Sequence, residues 1–529
     1  MSEQVVAPTP DKGVGGEAPP GARPAPGEAL TRALLASVFV IAACGLVYEL
    51  IAAAASTYLL GDSVTQFSVV IGVYLAAMGL GSYLSKYVAT GLIVRFIDIE
   101  LMIAVLGGFS AAAMFLSFAW AGSIFRVTLY SFVVLVGILV GLEIPLVMRI
   151  LKERLGFKDL VAQVLTFDYL GALGVSIAFP LLLAPRLGLI RTAFLFGILN
   201  ALVGLWAVWL FRDRIGRPAA VAIRCLVVTA VLAAGFASAD RLTRLSEEQI
   251  YVDRIIHSES TRAQRIVITR WRDDLRLYLN GNLQFSALDE YRYHETLVHP
   301  ALASIPHARR ALVLGGGDGM ALREILKYPD IEQVTLVDLD PSMTRLFSEA
   351  PQLRALNLDA LNSPRVKVVN ADAFIWLEQS RDFFDFVVMD FPDPSNHSIG
   401  KLYTTAFYSL LKHRLSARGL AVIQSTSPMY ARRSFWCVVR TLEEAGFEAT
   451  PLHAMVPSFG EWGYVIASLQ SYEPPAKYPF ELRFVSPEMH PTLFTFPKDM
   501  GRLPAEPNRL NNQVLVQYYE SEWRRGSQE

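Results

Sequence analysis

The first half of the chain contains a series of apolar stretches, each long enough to cross a lipid bilayer as a helix. They account for a hydrophobic content of 53% in 529 residues and a mean hydropathy of +0.35, which are too high for an ordinary soluble protein. A seventh stretch, Ala219–Ala239, is interrupted by Arg224. We predict an all-α membrane domain over residues 31–240 with six or seven transmembrane helices. The six uninterrupted stretches are Leu34–Tyr58, Val64–Val88, Leu101–Ala121, Val127–Met148, Val161–Ala184 and Ile190–Phe211.

Lysine and arginine residues are concentrated in alternate loops, and cytoplasmic loops of membrane proteins carry the excess of such residues. The basic loops contain Arg23, Arg32, Lys86, Arg95, Arg149, Lys152, Arg154, Lys158, Arg212, Arg214 and Arg217. This distribution predicts a cytoplasmic N-terminus. Six spans would then place the C-terminal half of the chain in the cytoplasm and seven would place it outside, and the sequence leaves both open.

Three acids lie inside the predicted spans: Glu49, Glu143 and Asp168. Because a charge in hydrocarbon is costly, such residues usually face the interior of a helix bundle and mark a cation path or site. The alternative is that they are protonated or hydrogen-bonded to neighbouring helices and only hold the bundle together.

The other parts of the chain have different compositions. Residues 1–30 are rich in Pro, Gly and Ala and are predicted to be a disordered tail. Residues 241–300 alternate polar and apolar positions around the turn Asn280-Gly281, which predicts a small β-domain. It should end in a helix over Ser286–Leu302 with Ser286 as N-cap and Asp289 completing a capping box. An α/β domain over residues 301–470 and a C-terminal extension over 471–529, with a short helix near Asn512–Trp523, follow.

The α/β region begins with a strand, a glycine turn, a helix and a second strand. Ala311–Leu314 is the first strand, Gly315–Gly319 is the turn, and Val334–Val337 is the second strand, which ends at Asp338. An acid about 20 residues after such a turn is typical of a nucleoside pocket, where it accepts hydrogen bonds from the ribose. The alternative is an ordinary crossover whose glycines only serve packing.

Acids follow the predicted strands at their carboxyl ends, where open α/β sheets bind ligands. They are Asp318, Asp338, Asp372, Asp390 and Asp393. Carboxylates that converge on one cleft need a positively charged ligand or raised pKa values. A net charge of −1 gives no reason to expect nucleic acid, and the three separated cysteines show no metal spacing.

Residues from about Tyr251 to Leu469 resemble the spermidine synthases, the polyamine aminopropyltransferases. The segments that carry the resemblance are AQRIVI, LYLNGNLQFSALDEYRYHETLVHPAL, LGGGDGMALRE, MDFPDP and KLYTTAFYSLLKHRLSARGLAVIQ. The N-terminal half looks like that of the membrane-attached bacterial branch of the family. The resemblance implies a Rossmann-like domain, similar to the AdoMet-dependent methyltransferases, preceded by the small β-domain.

The resemblance also implies a reaction. The aminopropyl group of decarboxylated S-adenosylmethionine, a co-substrate, would be transferred to putrescine, giving spermidine and methylthioadenosine without a cofactor or a metal. Asp390 would be the general base. The donor would be bound by Gln264, Asp338, Asp372, Ala373, Gly315 and Gly317, and the polyamine by Tyr293, His294, Asp318 and Asp393.

The chain departs from the family pattern at several positions. Asp338 stands where a Glu is usual, and Ala371-Asp372-Ala373 replaces Gly-Asp-Gly. Phe459 stands where many relatives have a Tyr that faces the substrate, and Phe391-Pro392 replaces a small polar pair. The last two changes leave the identity of the acceptor amine open.

Two other functions remain possible from the sequence. One is an AdoMet-dependent methyltransferase, which the acids disfavour because they would repel the carboxylate of the intact donor. The other is a polyamine transporter or sensor whose synthase domain only binds. We expect a homo-oligomer in the inner membrane. The catalytic domain should be cytoplasmic, because its donor is a cytosolic metabolite, with Ala219–Ala239 lying along the membrane or folding back.

Overall fold

The computed structural model describes residues 26–60, 63–120, 122–152, 156–251, 253–261 and 263–526. Most of the predicted disordered tail, together with Arg23 and Arg154, lies outside these ranges. Seven α-helices cover the described N-terminal part, one for each predicted apolar stretch. They are α1 (Pro26–Leu60), α2 (Ser63–Leu84), α3 (Leu92–Trp120), α4 (Gly122–Leu151), α5 (Phe157–Ala178), α6 (Ala184–Leu210) and α7 (Pro218–Ile250).

Six continuous helical segments are long and apolar enough to cross a membrane, judged by length and composition. One of them, residues 158–210, contains both α5 and α6 and is broken at Gly188, where φ is 74° and ψ is 169°. A side chain at Gly171 in α5 would overlap Phe39, and the carbonyl oxygen of Phe196 in α6 lies 3.7 Å from Cys44 Sγ. A straight helix would separate Gly171 from Phe196 by roughly 38 Å. Since both contact one short part of α1, the chain reverses direction at Gly188.

Helix α7 packs antiparallel along α6, and the order of their contacts shows the direction. Gly204 lies against Cys225, Gly197 against Leu232, and Phe194 against Gly235. Arg224 forms an ion pair of 2.9 Å with Asp98 in α3, so this charge does not interrupt the helix. Ala219–Ala239 is therefore a continuous helix packed along α6 in the bundle, and the expectation that it lies along the membrane or folds back stays a prediction.

Helices α2 and α4 approach closely because glycines line their contact. A Cβ at Gly141 would overlap the backbone of Met78. Pro145 has no N–H to donate to the carbonyl of Gly141, and the hydroxyl of Ser82 in α2 donates to that carbonyl instead at 2.9 Å. The two helices are thus joined by packing and by a hydrogen bond that satisfies a buried carbonyl group.

The predicted small β-domain is a four-stranded antiparallel sheet in the order β1-β2-β3-β4. Its strands are β1 (Arg254–Ser260), β2 (Arg265–Trp271), β3 (Asp274–Leu279) and β4 (Asn282–Ser286). Asn280 and Gly281 join β3 to β4 with φ values of 51° and 85°, as expected for this hairpin.

The helix after this sheet, α8 (Glu290–Leu302), begins later than predicted. The hydroxyl of Ser286 donates to Asp274 at 2.8 Å, and the Asp289 carboxylate accepts from the N–H of Ser458 at 2.6 Å. Neither side chain caps α8, so the predicted capping box is wrong. Both polar side chains instead make tertiary hydrogen bonds that the local sequence does not reveal.

A seven-stranded mixed sheet forms the C-terminal domain, in the order β10-β11-β9-β8-β5-β6-β7. Strands β5 to β9 are parallel, and β10 and β11 form an antiparallel hairpin that was not predicted. This order confirms the predicted Rossmann-like class, with its switch point between β5 and β8. The strands are β5 (Arg310–Gly315), β6 (Gln333–Asp338), β7 (Val366–Asn370), β8 (Phe384–Asp390), β9 (Leu415–Gln424), β10 (Glu448–Val456) and β11 (Gly460–Ser468).

Hydrophobic cores cover both faces of this sheet. Ala311 and Val313 of β5 enter one core, and Leu312 and Leu314 enter the other, as expected for a buried parallel strand. The remaining helices are α9 (Met320–Leu326), α10 (Pro341–Glu349), α11 (Pro351–Leu356), α12 (Ala373–Gln379), α13 (His397–Gly400), α14 (Thr405–Lys412), α15 (Arg432–Glu444), α16 (His490–Phe494) and α17 (Val514–Gly526).

Candidate active site

The glycine turn and the end of β8 meet at the switch point of the sheet. Gly315 pairs in register with Asp390, and the N–H of Gly316 donates to the Asp390 carbonyl at 3.1 Å. Gly315 has a φ of 81°, and a Cβ there would overlap the Asp390 backbone. A Cβ at Gly316 would lie 3.2 Å from Asp390 Oδ2. The glycines therefore leave the Asp390 carboxylate open to the cleft.

Asp390 is held by a tyrosine from α8. The hydroxyl of Tyr293 donates a hydrogen bond of 2.6 Å to Asp390 Oδ1. Burial raises the pKa of Asp390 to about 6, while His294 and the Tyr293 hydrogen bond favour the ionised form and Asp318 opposes it. Near neutral pH, Asp390 is a carboxylate that is basic enough to accept a proton.

His294 lies beside this pair and has a carboxylate partner of its own. Its Nδ1 lies 2.7 Å from Glu290 Oε2, and Arg323 donates to both oxygens of Glu290 at 2.9 Å. Burial alone would lower the pKa of His294, but the Glu290 contact outweighs it and the pKa is raised. Burial would raise the pKa of Glu290, but His294 and Arg323 lower it to about 2. This chain of charges fixes the imidazole in one orientation.

Asp318 belongs to the same group of side chains and is 8% exposed. Its Oδ1 accepts from the N–H of Met320 at 2.8 Å, and its backbone carbonyl accepts from Asn357 at 2.8 Å. Burial raises the pKa of Asp318, and His294 opposes that rise. Tyr293, His294, Asp318 and Asp390 are thus brought together as expected.

Asp338 closes the other side of the glycine turn. Its Oδ2 accepts from the N–H of Gly317 at 3.1 Å, and a Cβ at Gly317 would lie 2.7 Å from that oxygen. Burial raises the pKa of Asp338 to about 6. Gln264, in the loop between β1 and β2, donates to Asp340 at 3.2 Å. The small β-domain therefore reaches the end of β6.

Asp372 begins α12 and is paired with a lysine that the sequence did not single out. Its Oδ1 accepts from the N–H of Phe374 at 2.9 Å, and its Oδ2 accepts from Lys401 at 2.6 Å. Burial would raise the pKa of Asp372, but these donors lower it. Ala373 is the buried first residue of the helix. One of the five acids is thus neutralised within the protein, and the other four have raised pKa values.

Asp393 accepts hydrogen bonds from three side chains in two distant parts of the chain. The donors are Gln424 at 3.1 Å, Thr426 at 3.1 Å and Tyr519 at 3.0 Å. Burial raises the pKa of Asp393, and the three donors oppose it. Tyr519 lies in α17, so the C-terminal extension contacts the cleft. These donors could not be predicted from the sequence, because they are neighbours of Asp393 only in the fold.

The β10–β11 hairpin places aromatic rings beside Tyr293. The ring of Phe459 lies 6.3 Å from that of Tyr293 and 5.3 Å from that of Trp462, and Tyr464 lies 5.4 Å from Tyr293. Aromatic faces attract ammonium groups. The ring of Phe391, which follows Asp390 in the sequence, is buried in the hydrophobic core.

The fold and this cleft define an α/β protein with a cluster of acids at the switch point of its sheet, where sheets of this kind bind ligands. Residues 290–477 match the spermine/spermidine synthase domain family. A polyamine aminopropyltransferase of Ralstonia nicotianae is 57% identical over 498 residues, which cover 93% of this chain and 98% of the relative. One from Leptospira interrogans is 53% identical over 495 residues, 93% of this chain and 99% of the relative. The chain belongs to the polyamine aminopropyltransferase family.

A crystal structure of spermidine synthase from Thermotoga maritima is also similar. It shares 25% sequence identity with this chain at a TM-score of 0.43 and covers 47% of this chain and 87% of its own. The two curated relatives match well beyond the catalytic domain, so their similarity extends into the helical region. Family membership makes the protein a transferase, as the resemblance predicted, and decides against the methyltransferase alternative.

Proposed function

We propose that this aminopropyltransferase uses putrescine as acceptor, forms spermidine and methylthioadenosine, and uses Asp390 as general base. The observation that carries the proposal is the open Asp390 carboxylate at the switch point, held by Tyr293 at 2.6 Å. Its pKa of about 6 lies close to neutral pH, where a general base works best.

The reaction requires one bond to form and one to break. The nitrogen lone pair of putrescine attacks the methylene carbon next to the sulfonium, a C–N bond forms, and the C–S electrons return to sulfur as neutral methylthioadenosine leaves. The attacking amine must lose one proton, and Asp390 accepts it before passing it to water. A carboxylate beside the sulfonium also favours binding of the cationic donor.

The donor occupies the side of the cleft formed by β6 and β7. Asp338 binds the ribose, and Gly315 and Gly317 allow the nucleoside to approach the backbone. Asp372 and Ala373 contact the adenine, and Gln264 closes the site from the small β-domain. Support for this arrangement comes from the hydrogen bonds of Asp338 to Gly317 and of Gln264 to Asp340.

The polyamine occupies the side formed by α8 and the β10–β11 hairpin, with Tyr293, His294, Asp318 and Asp393 around it. A carboxylate has about four acceptor positions, so Asp393 has room for an ammonium group beside its three donors. The aromatic rings beside Tyr293 suit the methylene chain and the cationic ends of a diamine.

The acceptor is tested by methylthioadenosine release from decarboxylated S-adenosylmethionine with purified full-length protein. Putrescine, cadaverine, 1,3-diaminopropane and spermidine are compared at equal concentrations, with an assay lacking any amine as the control. We expect release only with an amine and the highest kcat/KM with putrescine. A higher kcat/KM with another amine would replace putrescine as the acceptor without affecting the family assignment.

We also infer that the helical region spans the cell membrane. Large apolar side chains on the outer faces of the helices are exposed, as lipid contact requires. Examples are Leu75 at 57%, Leu173 at 55%, Leu181 at 65% and Trp209 at 61%. Seven crossings, one for each of the seven helices of the described part, place the N-terminus and the catalytic domain on opposite sides.

A cytosolic donor favours a cytoplasmic catalytic domain, whereas the basic residues favour a cytoplasmic N-terminus. We infer the cytoplasmic catalytic domain. The test fuses a reporter that fluoresces only in the cytoplasm to either end of the chain. We expect fluorescence from the C-terminal fusion and none from the N-terminal one. The reverse pattern would place the catalytic domain outside the cytoplasm.

A further inference from the structure

Two acids that the catalytic reaction does not use meet inside the helix bundle. Glu100 of α3 and Glu143 of α4 are 0% and 2% exposed, and they are close enough to interact electrostatically with each other. No described residue donates to either oxygen of Glu100 or to Glu143 Oε1. Two ionised carboxylates so placed would repel strongly, so the pair needs a shared proton or an external cation.

Other buried polar groups near this pair also lack partners. Asn200 of α6 is 1% exposed, and neither atom of its amide is hydrogen-bonded within the described structure. It lies one helical turn before Gly204, where a Cβ would be 3.9 Å from Glu100 Cβ, so it faces the same part of α3. The hydroxyl of Tyr48, 3% exposed, is likewise unpartnered and within electrostatic reach of both acids.

Such a concentration of unpaired polar atoms needs an explanation, because native proteins satisfy most buried polar groups. Asp98 provides a comparison within the same helix: it forms an ion pair of 2.9 Å with Arg224. Among the ion pairs of the described residues, none involves Glu100 or Glu143. Asp98 of α3 therefore has a cationic partner in the bundle, whereas the buried Glu100 has none among the described residues.

We propose that Glu100, Glu143 and Asn200 bind a protonated primary amine of the polyamine class. An ammonium group has three donors and no acceptor, which matches the oxygens of Glu100, Glu143 and Asn200 that lack donors. Asp168 of α5, within electrostatic reach of Glu143, offers a carboxylate for a second ammonium group of the same molecule. The polyamine class follows from the family and holds whichever amine is the acceptor in the reaction.

A metal ion fits this place less well. The described residues contain no group of three or more His, Cys, Asp or Glu side chains arranged to hold a metal. Ca²⁺ takes about six to eight oxygen ligands, and Mg²⁺ needs an octahedral shell that includes several waters. Two carboxylates and one amide do not supply either shell, whereas three acceptors suffice for one ammonium group.

The test is equilibrium dialysis of radiolabelled spermidine with purified full-length protein. The wild type is expected to bind two equivalents per chain, one in the catalytic cleft and one in the bundle. Glu143→Gln is expected to bind one equivalent while its rate of methylthioadenosine release is unchanged. Asp98→Asn, the matched control on α3, keeps two. A single equivalent in the wild type, or two in an active Glu143→Gln variant, would overturn the proposal.

A second variant covers the case in which Glu143→Gln does not fold. Asn200→Leu removes one acceptor and is expected to weaken the second site by about tenfold, a typical effect of a lost hydrogen bond to a charged group. Unchanged affinity there contradicts the proposed ligand set. Displacement of the second equivalent by K⁺ or Na⁺ at spermidine-like concentrations would make it a metal-cation site and overturn the amine assignment. Because turnover is measured separately, these outcomes are distinguishable from a failure of the proposed reaction.

Discussion

The hydroxyl of Tyr293 donates a hydrogen bond of 2.6 Å to Oδ1 of Asp390, which joins helix α8 to the end of strand β8. A donor on a carboxylate stabilises its ionised form, so this contact holds down a pKa that burial raises. The same tyrosine packs against the aromatic rings of the β10–β11 hairpin. One side chain thus links Asp390, the proposed base, to the wall of the proposed polyamine site.

Tyr293→Phe should shift the pH profile of the enzyme. Without the donor, the pKa of Asp390 rises above about 6, and because only the carboxylate accepts a proton, the acidic limb of kcat/KM moves to higher pH. The loss should be larger at pH 6 than at pH 8. Tyr464→Phe is the matched control, since the Tyr464 hydroxyl has no hydrogen-bond partner in the described structure. A uniform loss at every pH would argue against this role of Tyr293.

Glu290→Gln should destabilise the catalytic domain. It leaves His294 and Arg323 without their buried partner, which typically costs about 3–5 kcal/mol. Because the folded pKa of Glu290 is about 2, below its unfolded value, the stabilisation is present above about pH 4. It is lost as the pH falls through about 2.

Thermal unfolding of the purified protein, followed by circular dichroism at pH 7, measures the cost of Glu290→Gln. The exposed Glu349→Gln is the control and should change the free energy of unfolding by less than about 0.5 kcal/mol. Equal stability of the two variants would show that the Glu290 pair contributes nothing measurable.

Tyr519→Phe should weaken binding of the acceptor amine. It removes one of the three hydrogen-bond donors that orient Asp393. We expect the KM for the amine to rise by about tenfold, while the KM for decarboxylated S-adenosylmethionine stays the same. Tyr518→Phe is the control on the same helix, because that ring packs on Arg433. Steady-state kinetics with each substrate varied in turn measure both constants. An equal rise in both KM values would remove the specific link between α17 and the amine.

Local patterns in the sequence predicted much of the fold and part of the site. The glycine turn and the strands on either side are encoded by adjacent residues, so Gly315, Asp338 and Asp390 were placed correctly. The donors to Asp393 and the pairing of Lys401 with Asp372 depend on tertiary contacts, which no short segment contains.

In the helical region too, local sequence could not predict features that depend on tertiary contacts. Arg224 interrupts the apolar stretch Ala219–Ala239 and left the number of helices at six or seven, but Asp98 of another helix forms an ion pair with it. Glu100 was overlooked because the apolar run begins at Leu101, whereas α3 begins at Leu92 and carries Glu100 into the interior. In both cases the surroundings of the charged side chain are formed by a neighbouring helix, which the local sequence does not contain.

The most direct test of the proposed mechanism is methylthioadenosine release by Asp390→Asn with decarboxylated S-adenosylmethionine and putrescine. An amide cannot accept the proton, so kcat should fall by about 100- to 10,000-fold. Calorimetric binding of the donor should remain measurable. Asp382→Asn, a matched change at a surface ion pair with Arg310, should leave kcat unchanged. Full activity of Asp390→Asn would contradict the assignment of Asp390 as the base.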